Sequence, residues 1–214
     1  LFAAALTVHK TFIDASASRL QHNLGLLMSG MVAGAFQSSA HRELLPDLWS
    51  SLFMVVPTVS TTFASVRTMF GDLPPESIGW LLVDEAGQAV PQAAVGAIMR
   101  AKRSIVVGDP LQIPPVVSLP EKLNAEICKF FDIDQVEWSA PAASTQTLAD
   151  QASRFKSTFV MDVDDREVGL PLLVHRRCQN PMFDVSNSIA YAGQMVHAVG
   201  PKRPGSIGSA LGRS

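Results

Sequence analysis

The chain has little cysteine, little net charge and no long apolar run. Its two cysteines, Cys128 and Cys178, lie far apart and fit neither a zinc-ligand spacing nor a disulfide framework. They read as reduced thiols of an intracellular, cytoplasmic protein. A net charge of −2 gives no bulk attraction to a polyanion, so any nucleic-acid contact has to be confined to one face. The longest apolar stretches are strand-sized and end in a charge, Gly or Pro, which excludes a membrane-spanning helix. The opening LFAAALTVHKTF has no basic residues ahead of its apolar run and reads as a poor signal peptide. There is no G-x-x-x-x-G-K-[ST] loop, the glycine-rich cradle that holds phosphates. There is also no initiator Met, so the chain reads as a piece of a longer protein that begins inside a helix.

What is present is enough apolar material for a core: 47% hydrophobic residues against 17% charged. Leu1 to Met28 has helical spacing, with Leu6, Phe12, Ile13, Leu20, Leu24 and Leu27 able to share a broad face. Ser39 to Trp49 predicts a second helix, broken at Pro46. Together they predict an N-terminal helical hairpin over residues 1–50 that carries no identifiable chemistry.

Beyond it the order is strand, helix, strand, helix, strand. Leu52 to Val56 (LFMVV) predicts a strand buried on both faces, ended by Pro57. TVSTTFASVRTMF comes next, with hydroxyls suited to a helix N-terminus. Strand Trp80 to Val83, helix Pro91 to Ala101 and strand Ser104 to Val107 complete an α/β core with a parallel sheet and crossover helices. Helices are also expected over Glu121 to Phe131, Thr145 to Phe155 and Pro181 to Ala190. An exposed turn or insertion is expected over Phe159 to Glu167. A disordered tail is expected from Gly200.

Two strand ends carry the chemistry. GWLLVDEAGQAV runs from Gly79 to Val90 and GDPLQIPPV from Gly108 to Val116. A buried strand delivers Asp84 and Glu85 to the carboxyl edge of the sheet, where α/β folds bind ligands. One carboxylate can hold Mg²⁺ through its water shell and the other can activate an attacking water. Gly108 lets backbone approach closely, and Asp109 can serve as a helix cap, a turn cap or an acid one layer behind the ligand. Gln112 offers a donor and an acceptor on one amide, able to hold a water or sense a terminal phosphate.

LLVDEAGQA and, after it, VVGDPLQIPPV together resemble the superfamily 1 helicases, in the branch of nonsense-decay-factor-like and immunoglobulin-switch-binding-protein-like AAA-type DNA/RNA helicases. The resemblance runs from about Val55 to Val196. It implies a partial RecA-like P-loop NTPase core: residues 1–50 as a helical insertion of a first RecA-like domain, 51–170 as the remainder of that domain and 171–199 as the start of a second. It further implies ATP and Mg²⁺ as cofactors, single-stranded DNA or RNA as partner, and 5′-to-3′ travel. By resemblance Asp84 is the Mg²⁺ ligand, Glu85 the general base and Gln112 the γ-phosphate-contacting amide, with Gly108 and Asp109 beside the nucleotide. VSTTFAS resembles the segment that touches the nucleic-acid backbone, through Ser60, Thr61 and Thr62. VHRRCQNPMF, Val174 to Phe183, resembles the arginine motif. His175 stands in its tyrosine place, Arg176 would be the arginine, and two extra residues precede Asn180-Pro181, so the register lies between Arg176 and Arg177. SNSIAYAGQMV, Ser186 to Val196, resembles the helix and strand that come after the arginine motif. Without the phosphate cradle the chain alone is expected to be inactive, and its exposed sheet edge is expected to promote self-association. A nucleic-acid-binding module without hydrolysis, or a non-translocating ATPase, would be the alternative readings.

Overall fold

The structure, a computed structural model, describes residues 1–33, 36, 38–109, 111–159 and 165–200. Of the tail expected from Gly200, all but Gly200 itself lies outside them. Helices α1 (Phe2–Ala15), α2 (Ala17–Ala33), α3 (Ser39–Val55) and α4 (Phe63–Phe70) come first. The expected single helix over Leu1 to Met28 is divided at Ser16, which caps α1 with its own N–H on Phe12 and Ile13 carbonyls. α1 buries no residue, and Leu6 and Phe12 are exposed rather than on a shared buried face. The hairpin is α2 on α3, joined by an Asn23 Nδ2 to Ser51 Oγ hydrogen bond of 2.9 Å.

Two expectations fail in α3. Leu52 to Val55 of LFMVV is helical, not a strand, with Val56 as the C-cap, and Pro46 lies inside an unbroken helix. The reason is one stripe: Leu45, Leu48 and Trp49 are buried, Leu52 and Phe53 pack beside them, and that spacing is helical. Pro46 removes one helix hydrogen bond at a cost of about 3 kcal/mol. Burial of the neighbouring Leu and Trp side chains, each worth about 1.5–3 kcal/mol, outweighs it. The same cluster takes in Leu27 of α2, Val66 and Phe70 of α4, Leu73 and Ala97. The hairpin and the sheet-flanking helices therefore share one core. Trp49 sits at its centre, with ring centroids 4.7 Å from Phe70 and 5.7 Å from Phe53.

The strand pair holding the chemistry forms where expected. β1 (Leu81–Val83), α5 (Pro91–Arg100, with Pro91 in its first turn) and β2 (Ser104–Val106) make a parallel β–α–β unit. Its register is Leu81↔Ser104, Leu82↔Ile105, Val83↔Val106, prolonged by a bridge between Ile78 and Ala101. Among the described residues β2 pairs with β1 alone, so the longer parallel sheet expected from the strand order is reduced to this pair. One residue couple in register, Leu82 and Ile105, is exposed on the same face.

Helices α6 (Glu121–Phe130), α7 (Gln135–Trp138) and α8 (Thr145–Ala152) come next. α8 starts with a capping box between Ser144 and Thr147, and the Thr145 N–H donates to the Ala89 carbonyl at 2.9 Å. That bond draws α8 under the loop after β1. The turn expected over Phe159 to Glu167 is flanked by an antiparallel pair, β3 (Ser157–Phe159) and β4 (Arg166–Val168); its middle, 160–164, lies outside the described residues. Finally β5 (Val174–His175), α9 (Met182–Ala190) and β6 (Val196–His197) form a second parallel β–α–β unit, with Phe183 packed between the rings of His175 and His197. No helix among the described residues is long and apolar enough to cross a membrane.

Candidate functional site

β1 ends in Asp84 and Glu85, both exposed. Asp84 Oδ1 accepts the Glu85 N–H at 3.0 Å. Glu85 holds φ 54° and ψ 37°, the left-handed region. For a residue with a Cβ that conformation costs on the order of 1–3 kcal/mol, and such strain concentrates at functional sites. Its carboxylate is engaged by Gln88, whose Nε2 donates to Oε2 at 3.2 Å. The two acids open on a cavity of about 500 Å³ whose wall includes Thr61, Thr62, Gln88 and Val116. Thr62 is the N-cap of α4, yet its hydroxyl caps no backbone N–H; it lies 3.4 Å from Ser65 Oγ. Ser60 is exposed just ahead and is outside that cavity lining.

The loops after β1 and β2 are in backbone contact. The Ala86 N–H donates to the Val107 carbonyl at 3.0 Å. A Cβ on Gly108 would stand 2.8 Å from the Gly87 nitrogen, 2.9 Å from the Ala86 nitrogen and 2.9 Å from Gln146 Oε1. Glycine at 108 is thus required by the neighbouring loop of the same protein, a reason the bare motif does not disclose. Of the roles open to Asp109, the structure shows the turn cap: Oδ1 accepts the Leu111 N–H at 3.0 Å and Oδ2 accepts Gln112 Nε2 at 2.9 Å. The Tyr191 hydroxyl, at the C-cap of α9, also donates to Oδ2. Burial first, then the Asp109 bond and charge, push the Tyr191 pKa up from 10.0 to about 12, while the neighbouring Gln112 amide pulls it down.

Gly108, Asp109 and Tyr191 face a different cavity from the acids, one of about 840 Å³ between the outer edge of β2, α8 and the segment after β4. Two buried side chains of α8 also line it. Asp150 Oδ1 accepts Gln146 Nε2 at 3.0 Å and the Gly169 N–H at 2.9 Å, while Asp150 Oδ2 and Gln146 Oε1 have no partner among the described residues. Sequence reasoning does not single out these buried polar residues; their i, i+4 spacing in a helical stretch is the available signal. Gln112 is exposed and lines neither cavity. Arg176 and Arg177 are exposed after β5 and are likewise outside both linings. Their turn is closed by the Cys178 N–H donating to His175 Nε2 at 2.8 Å and by His197 Nε2 lying 3.2 Å from the Cys178 carbonyl. The acids and the Asp109–Gln112 turn thus share one end of the β1–β2 pair on touching loops, and the arginines stand apart. Among the described residues no cluster of three or more His, Cys, Asp or Glu side chains could hold a metal by itself.

The family model of an AAA domain matches residues 50–119. The match takes in Ser60 to Thr62, Asp84, Glu85, Gly108, Asp109 and Gln112, and it indicates a helicase-like ATPase domain over that stretch. Arg176 lies beyond it. No curated protein matches the chain.

Proposed function

We propose that the chain is part of an ATP-driven superfamily 1 helicase of the nonsense-decay-factor-like branch, acting on single-stranded DNA or RNA in the cytoplasm. Residues 51–170 belong to its first RecA-like domain and 171–199 open the second. The observation that carries this reading is the contact between the two strand-end loops: Asp84 and Glu85 on one, Asp109 and Gln112 on the other, at the same end of adjacent parallel strands.

The donor set suits MgATP. Mg²⁺ keeps most of its waters and takes one or two carboxylates plus phosphate oxygens, so an exposed Asp84, with one oxygen unengaged among the described residues, is sufficient and no multi-residue cage is needed. When bound, MgATP would supply the phosphoryl group to be transferred and offset its charge. Asp84 would hold the metal's water shell. Glu85, once released by Gln88, would take the proton of the attacking water. Gln112 would turn from Asp109 towards the terminal phosphate held at the two acids. Arg176 would reach that phosphate when the β5–α9–β6 unit closes, since a guanidinium stays charged and forked. Ser60, Thr61 and Thr62 would meet the nucleic-acid backbone with hydroxyls and N–H groups at the start of α4. Thr61 and Thr62 border the cavity of the two acids, which supports coupling of the two events.

The reading is tested by ATP turnover in a protein that joins these residues to a phosphate-binding loop. Single-stranded nucleic acid is expected to stimulate turnover. Unstimulated turnover would instead favour a non-translocating ATPase, and none at all a binding module. The 214-residue chain by itself lacks the loop's backbone donors and is expected to bind MgATP weakly. Micromolar affinity by titration calorimetry would contradict this.

The outer edge of β2, unpaired among the described residues, and the exposed Leu82 and Ile105 face are suited to pairing with a second chain. Light scattering is expected to show mass rising with concentration. Ile105→Lys should reduce that rise, and a monomer at every concentration would refute it.

A further inference from the structure

Asp109 receives three donors from two parts of the molecule. The Leu111 N–H and the Gln112 amide come from its own turn, at 3.0 Å and 2.9 Å. The Tyr191 hydroxyl comes from the end of α9, 82 residues along the chain. Gln112 and Tyr191 use the same oxygen, Oδ2. Hydrogen bonds to a carboxylate are roughly twice as strong as neutral ones, so the tyrosine fixes the rotamer of the carboxylate on which the turn is built. On the other side of the tyrosine, the Asn187 side chain spans the Met195 backbone, its Nδ2 donating to the carbonyl at 3.1 Å and its Oδ1 accepting the N–H at 2.9 Å. Tyr191 therefore stands on a braced loop.

We propose that Tyr191 is a positioning residue for Gln112: by sharing Asp109 Oδ2 with that amide it latches the turn after β2 to the β5–α9–β6 unit. The inference deepens the reading above and rests on it for what Gln112 does, though the latch itself needs no nucleotide. With both donors on Oδ2, the Gln112 amide is turned in towards Asp109. When the amide swings out to a phosphate, Tyr191 keeps Asp109 in place, so the turn survives the movement. Any displacement of α9 is felt at the same carboxylate, which links Gln112 to the unit that carries Arg176.

Tyr191 is the only tyrosine in the chain, so tyrosinate absorbance reports it alone. Its folded-state pKa is raised from 10.0 to about 12. Burial of the ring, and after it the Asp109 contact, therefore contribute stability that is present below pH 10 and lost as pH rises from 10 to about 12. The expected midpoint in the parental chain lies well above 10. Asp109→Asn should bring it down, and Gln112→Ala should raise it, because the Gln112 amide donates to the same Oδ2 and offsets the charge that Tyr191 faces. In a second measurement, hydrogen exchange at the Leu111 and Gln112 amides should quicken about tenfold in Tyr191→Phe, the scale of one bond to a charged group. Exchange across Leu81 to Val83 should hold, and adding Tyr191→Phe to Asp109→Asn should change nothing further. An ordinary parental midpoint, unchanged exchange at 111 and 112, or additive effects would each overturn the latch. If Tyr191→Phe does not fold, the parental and Gln112→Ala titrations decide. Absence of ATP turnover would count against the proposed function and leave these readouts untouched.

Discussion

Glu85→Gln is expected to lower nucleic-acid-stimulated ATP turnover by about 10²–10⁴-fold, the usual contribution of a positioned general base. The protein assayed is one in which these residues are joined to a phosphate-binding loop. The substitution is nearly isosteric. An amide at position 85 can still accept from Gln88 Nε2 through its oxygen, and the 3.2 Å contact need not move. The left-handed backbone is set by the tight exit from β1 into Ala86–Gln88 and does not depend on the carboxylate. What is lost is the proton acceptor. The loss should therefore fall on kcat, with KM little changed, because the base acts on the water and not on substrate binding. Asp84→Asn should behave differently, raising the Mg²⁺ concentration needed for half-maximal rate, since it removes the anionic partner of the metal's water shell. Turnover in Glu85→Gln within fivefold of the parent would remove Glu85 from the chemistry. Loss in KM alone would make it a binding residue.

Why the strand ends are legible in the sequence, and much else is not, depends on how far each contact reaches. β1, α5 and β2 are legible because their cues are local. Apolar runs end in acid or Gly-Asp, and Pro91 stands where its missing N–H costs nothing. The turn cap by Asp109 is local too. LFMVV misleads because a short apolar run fits a buried strand or a buried helix equally, and only the packing of Leu45, Leu48 and Trp49 against α2 and α4 chooses between them. Pro46 misleads for the same reason, its local penalty being smaller than the burial around it. The flanks of the expected turn at Phe159 form a hairpin because Phe159 and Val168 are buried beside the large cavity, again a tertiary matter. At the site, motif spacing discloses Asp84, Glu85 and Gln112 but not their neighbours. Gly108 reads as room for a ligand, and its Cβ position is filled by the Ala86–Gly87 backbone. Tyr191 meets Asp109 across 82 residues, and no periodicity predicts such a meeting.

Trp49→Ala should be the most damaging single change to the fold. Its indole is 4% exposed and lies at the junction of α2, α3, α4 and α5. Truncating a buried Trp to Ala removes its transfer free energy and leaves a cavity, together about 3–5 kcal/mol. Against a net stability of about 5–15 kcal/mol for a domain, that is a third or more of the total. The cavity would not close readily. Its walls are Phe53 and Phe70 on different helices, and Pro46 with the Asn23–Ser51 bond limits how far α3 can move towards α2. Because α4 and α5 hang on the same cluster, the loss should spread to the strand ends. Hydrogen exchange at Val83 and Val107 should rise along with that of α3. Phe12→Ala supplies the contrast. It removes an aromatic ring of similar kind from α1, which buries nothing, so its cost should stay within about 0.5 kcal/mol. Urea unfolding of the two variants distinguishes the outcomes through their midpoints. Equal midpoints would mean that the hairpin does not share a core with the strand-bearing half, and that the acids at 84 and 85 are held by something other than this packing.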